Sequence, residues 1–197
     1  NAPFYVVHGA PNLLDPGSPE KVARYVSLKK AEHGCDQALV IFDTLNRCVG
    51  EADENSSTAM GTVIGNATYI AQTTKSSIIF VHHTGNANPD RPRGSSAFHS
   101  NVDCLCLLNK APDSVSENVV LLNPLKQKNA QTLDLLPFKL SALEIGTDNE
   151  GRVATVPMAI PMEPRGFTSA LKSKNDNARP LNATTERRDD IERVLQE

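Results

Sequence analysis

Two continuous apolar runs constrain this chain more than any other feature, because each is closed by side chains that can do chemistry. Ala38–Phe42 reads ALVIF and ends on Asp43, while residues 77–81 read SIIFV and end on His82 and His83. Apolar residues in succession, rather than in alternation, are the pattern of a strand buried on both faces in a parallel sheet. Between the runs Ser56 stands where a helix cap belongs. Met60, Val63, Ile64, Ala67, Ile70 and Ala71 then recur at helical spacing. The unit therefore reads strand–helix–strand, the minimal parallel crossover.

The flanks extend this pattern. Phe4–His8 (FYVVH) reads as a short buried strand. Ser18-Pro19-Glu20 reads as a helix start with Ser18 as cap, and Gly34 as its stop. After a long loop from Thr84 to Ser96 come strand-like runs at Val102–Leu108, Asn118–Leu125, Thr132–Leu140 and Arg152–Val156. Their short connections predict antiparallel hairpins. The expected fold class is α/β, parallel in the middle with an antiparallel extension. Residues 1–156 make one domain. Residues 157–197 read as linker (Met158–Pro164, Lys172–Pro180) followed by a short charged helix over Thr184–Gln196.

Composition excludes several functions. The net charge of −3 argues against binding nucleic acid through bulk charge, though not against a local basic patch. Aromatic residues make up 5% and Trp is absent, a poor supply for a base-stacking platform. No apolar run is long enough for a membrane helix and no segment reads as a signal peptide, so a cytoplasmic protein without membrane contact is expected. The four cysteines form no C-x-x-C pair. Cys104 and Cys106 share one face of an apolar strand and read as small buried hydrophobes. The chain opens on Asn1 rather than Met, with strand-like sequence almost at once, and reads as a piece of something longer.

Several residues can carry chemistry. Asp43, at a strand's carboxyl end, reads equally as a loop cap or as the carboxylate that holds a hydrated Mg²⁺ beside phosphates. His82 and His83 end the neighbouring strand and point to opposite faces. Arg91 and Arg93, with Gly94, Ser95 and Ser96, make a loop suited to a phosphate or a nucleic-acid backbone, or else a solvated loop. Lys126 and Lys128 place two ammonium groups beside a strand.

Together ALVIFDTLNR, the D-E-N-S helix start, VHHTG and RGSSAF, in this order and spacing, resemble the RepA-like branch of the RecA-type ATPases, relatives of hexameric replicative helicases. The resemblance covers roughly Phe4 to Val156 and implies a RecA-like three-layer core. It also implies ATP and Mg²⁺ as cofactors, single-stranded DNA as partner, and a ring-forming homo-oligomer, expected to be a hexamer. It implies that Asp43 is the Walker B aspartate with Thr44 beside it, and that His82, with His83, senses the γ-phosphate. The segments Gly50–Asn55 and Gly85–Pro92 would line the ring's channel. A basic finger reaching a neighbour's nucleotide is either Arg93 or the pair Lys126 and Lys128, since Asp103 stands where some relatives carry an Arg. One part of the family pattern is missing: no Gly-Lys dipeptide, and so no G-x-x-x-x-G-K-[ST] phosphate loop, occurs in the 197 residues. The N-terminal phosphate-binding unit is therefore expected to lie outside this chain, which should not hydrolyse ATP by itself.

Two other classes fit parts of the pattern. One is a metal-dependent hydrolase using Asp43, His82 and His83 as ligands, as a zinc site would. The other is a non-catalytic DNA-binding or assembly module on the same scaffold.

Overall fold

The computed structural model describes residues 2–84, 95–111 and 118–163. Its elements in order are α1 (Ser18–His33), β1 (Ala38–Asp43), a 3-10 turn (Leu45–Cys48), α2 (Ser57–Thr74), β2 (Ser76–Val81), α3 (Ser96–Asn101), β3 (Cys104–Lys110), β4 (Val119–Gln127), β5 (Leu136–Thr147) and β6 (Val153–Pro161). β1 and β2 form a parallel pair with Ala38 opposite Ser76 and Asp43 opposite Val81. β3 to β6 form a four-stranded antiparallel sheet in sequence order. The fold is mixed α/β, as the patterning predicts. Among the described residues no helix is long and apolar enough to cross a membrane.

The described residues divide into two compact units, those within Asn1–Leu107 and Pro124–Thr132 making one and those within Leu108–Asn123 and 133–163 the other. In the first unit the core is built by α2. Met60, Val63, Ala67, Ile70 and Thr74 are its buried residues, at successive spacings of three or four. Met60, Val63 and Ile70 pack with Leu13, Phe42, Leu45, Cys48, Val49 and Phe98. Ser56 caps α2 as expected, its Oγ accepting the Ala59 N–H at 3.3 Å. Gly34 stops α1 in the left-handed conformation, its N–H returning to Lys30 and Ala31. At the other end of α1 the cap is Gly17 rather than Ser18. Gly17 has φ 78° and its carbonyl accepts the Lys21 N–H.

Several expectations are corrected. β1 and β2 are not buried on both faces. Val40 and Phe42 face the core while Leu39 and Ile41 remain 58% and 51% exposed, and β2 repeats the alternation with Ile79 and Val81 outward. Helices cover the faces of a parallel sheet, and among the described residues α2 on β2 supplies that cover, while the residues of the other face stay exposed. Phe4–His8 forms no strand. Phe4, Val6 and Val7 stand exposed, and Tyr5 turns to the end of α1 instead. There its hydroxyl meets His33 Nε2, and Lys29 Nζ sits 4.4 Å from its ring centre.

In the second unit β5 starts later than Thr132 and runs to Thr147, its last residues pairing with Val153–Val156, and β6 does not stop at Val156. Residues 157–161, read as linker, are the second half of β6, with Pro157 opposite Ala142 and Pro161 opposite Phe138. β6 ends the sheet order, and an edge strand tolerates proline because a missing N–H on its free side breaks no ladder bond. The segments Lys172–Pro180 and Thr184–Gln196 lie outside the described residues.

Candidate functional site

The carboxyl ends of β1 and β2 sit side by side because the strands are parallel and in register, and this places Asp43, His82 and His83 at one sheet edge. After Asp43 the chain turns sharply. Thr44 precedes a 3-10 turn whose Leu45 and Cys48 are buried, which leaves Asn46 and Arg47 outside. The following D-E-N-S stretch divides its work by residue. Asp53 Oδ1 accepts the Asn55 N–H at 2.9 Å, and Ser56 caps α2. Glu54 is left to point inward and is only 7% exposed. Its Oε2 accepts a hydrogen bond from Asn46 Nδ2 at 3.2 Å, and its carbonyl oxygen accepts the Ser95 N–H at 3.0 Å.

A cavity of about 240 Å³ opens at this point, lined by Thr44, Asn46, Glu54, His82 and His83. His82 is half-buried, with its ring 5.9 Å from that of Phe98, which in turn packs edge-on against Phe80. His83 is exposed. The site is thus a polar pocket on an aromatic floor, offering a hydroxyl, an amide, two imidazoles and a carboxylate. In open α/β sheets this edge is where ligands bind.

The structure brings together Thr44, His82 and His83 of the residues singled out from sequence, and adds Asn46 and Glu54. Asp43 ends β1 on the solvent-facing side with Leu39 and Ile41, exposed. Arg91 and Arg93 lie outside the described residues, as does Gly85–Pro92. Lys126 and Lys128 are engaged elsewhere in the first unit. Lys126 Nζ donates to the carbonyls of His99 and Ser100 at 2.9 and 2.8 Å. Lys128 Nζ donates to the Asn101 carbonyl at 3.2 Å and pairs with Asp103 at 3.0 Å. Two ammonium groups on the last carbonyls of α3 are a helix cap built from side chains. Partial burial holds the Lys126 ammonium below its ordinary pKa, with the Lys128 charge adding to the effect and Asp103 opposing it.

Asp43, His82 and His83 do not form a zinc centre. Among the described residues no three His, Cys, Asp or Glu side chains converge to hold a metal ion. The geometric reason is that Asp43 faces the open side of the sheet while His82 packs on Phe98. Glu54 is the residue that sequence reasoning passed over. Its signal was the D-E-N-S stretch itself, where the local roles of Asp53 and Ser56 leave one acid without a turn to make.

Residues 5–89 match the AAA domain family. The match runs from before α1 through β1, α2 and β2, so the whole lining of the cavity lies inside it. It supports an AAA-type, ATPase-like domain. No curated protein matches the chain. The strand-end pocket and Asp43 lie within the matched span, at the carboxyl edge of the two parallel strands. α3, its lysine cap and the antiparallel sheet lie beyond the matched span.

Proposed function

We propose that this chain is part of an ATP-hydrolysing, ring-forming DNA helicase or replication-initiation ATPase of the RepA type. In that reading phosphoryl transfer to water is coupled to movement on single-stranded DNA. The observation that carries it is the juxtaposition, inside an AAA-type match, of Asp43 and the pocket of Thr44, Glu54, His82 and His83 at the ends of two parallel strands.

The donor set fits the cofactors. One exposed carboxylate with a neighbouring hydroxyl, Asp43 and Thr44, suits Mg²⁺, which keeps much of its water and uses few protein ligands. Bound there, the ion would neutralise charge on the phosphates. His82, its ring beside Phe98 and its side chain in the pocket lining, is the group suited to register the terminal phosphate. Through its backbone carbonyl, Glu54 ties the same wall to Ser95 and thus to the start of α3. A change at the strand ends then has a short covalent and hydrogen-bonded route to the RGSS segment. Lys126 and Lys128 spend their ammonium groups on α3, which leaves Arg93 as the finger this reading favours, with Arg91 beside it for DNA.

With no Gly-Lys pair in the 197 residues, the phosphate cradle is not supplied by these residues, and the chain binds nucleotide weakly and turns none over. Steady-state phosphate release from the purified chain with Mg²⁺ and ATP tests this. The expected rate equals the protein-free background. A Mg²⁺-dependent rate that Asp43→Ala abolishes would show that the chain holds a complete site of another design.

A further inference from the structure

Cys104 and Cys106, expected to be buried, are both exposed and unbridged. They lie on β3, the first strand of its sheet, whose burial alternates along the strand. Its odd positions, Leu105 and Leu107, turn inward, while Cys104, Cys106 and Leu108 turn to solvent. Two side chains two residues apart on one face of a strand have Cα atoms roughly 6.6 Å apart, twice the rise per residue. That is the upper edge of what a disulfide spans. A bridging ion has a longer reach, since two metal–thiolate bonds of about 2.3 Å add about 4.6 Å between the sulfurs.

We propose that Cys104 and Cys106 form a two-thiolate site for a soft monovalent cation of the Cu(I) type. Thiolates select soft ions, and an ion content with two ligands suits a strand face where, among the described residues, no third His, Cys, Asp or Glu joins. Zinc would need more ligands. Partial burial raises the Cys106 pKa and the neighbouring Cys104 charge raises it further, so a cation between them removes a repulsion. Binding forms two S–Cu bonds and releases the two S–H protons to solvent, with no change of oxidation state.

The test is an anaerobic titration of the whole 197-residue chain with Cu(I) against a chromogenic Cu(I) chelator, with a phosphine reductant present. One Cu(I) per chain is expected, with a thiolate-to-copper absorption band in the ultraviolet. Cys104→Ser and Cys106→Ser should each weaken binding by more than about tenfold, while Cys35→Ser leaves it unchanged. Circular dichroism of the Ser variants should overlay the wild-type spectrum, so that loss of binding is not loss of fold. Unchanged affinity in either Ser variant at 104 or 106, loss in Cys35→Ser, or tighter binding of Zn²⁺ than of Cu(I) would each overturn the site.

Discussion

Ser95 shows how a motif that looks chemical can be spoken for by the backbone. Its Oγ accepts the Ala97 N–H at 3.1 Å as the cap of α3, and its own N–H donates to Glu54. Three residues on, Phe98 is buried between Phe80 and His82. Ser95→Ala should therefore cost about 0.5–2 kcal/mol in urea unfolding, and Phe98→Ala about 3–5 kcal/mol. A near-zero effect of Phe98→Ala would mean that the floor under His82 is not packed as described. The cysteines separate in the same way. Burial pushes the Cys48 thiol up to about 11, with Arg47 opposing, so at neutral pH it is neither exposed nor ionised. Brief alkylation of the folded chain, read by mass spectrometry, should label Cys104 and spare Cys48. Equal labelling would contradict that burial. Ser56 and Gly34 were legible because capping is local chemistry, written within a few residues. The exposure of Cys104 and the inward turn of Glu54 were not, because each depends on what packs against a strand face or a loop from elsewhere in the chain.

At the level of elements, the parity of β1 is a sharp prediction. Phe42→Ala removes a core ring and should cost about 3–5 kcal/mol. Ile41→Ala, one residue away on the exposed face, should stay within about 0.5 kcal/mol. Similar losses at both positions would show a strand covered on both sides. The β5–β6 hairpin turns on Asp148. Its Oδ1 accepts the N–H groups of Glu150 and Arg152 at 2.9 Å each, and its Oδ2 accepts Arg152 Nε at 2.9 Å. The Arg152 backbone hydrogen bond, then its guanidinium, then the Glu150 N–H hold this carboxyl below its ordinary pKa. Since the folded pKa lies below the unfolded one, the turn's contribution is present above the unfolded value, about 3.9, and fades as pH falls through the folded value. Amide spectra of the hairpin followed from neutral pH into acid should show this loosening in the wild type and much less of it in Asp148→Asn. Identical profiles would refute the role. The crossover β1–α2–β2 was legible because α2 repeats its apolar residues so regularly. The ribbon β5–β6 was harder to bound. With solvent on much of both faces its alternation is blurred, and the prolines at 157 and 161 imitate a linker.

For the whole molecule, the α/β class and the antiparallel extension follow from the order of elements, and the AAA-type match agrees with the crossover that sequence patterning isolates. The pocket itself was half legible: the two histidines and Thr44 stood out because they close apolar strands, whereas Asn46 and Glu54 arrive there only through the 3-10 turn. What the molecule does at this pocket can be read from its imidazoles. Side-chain NMR of the 197-residue chain, titrated with Mg²⁺ and ATP together, should move the His82 and His83 resonances while those of His8 and His33 stay in place. ATP with the metal chelated should move them far less, and Asp43→Asn should remove the metal-dependent part. If His82 and His83 are unmoved by Mg²⁺ and ATP, or move equally without the metal and without Asp43, the strand-end pocket is not the nucleotide edge of an ATPase.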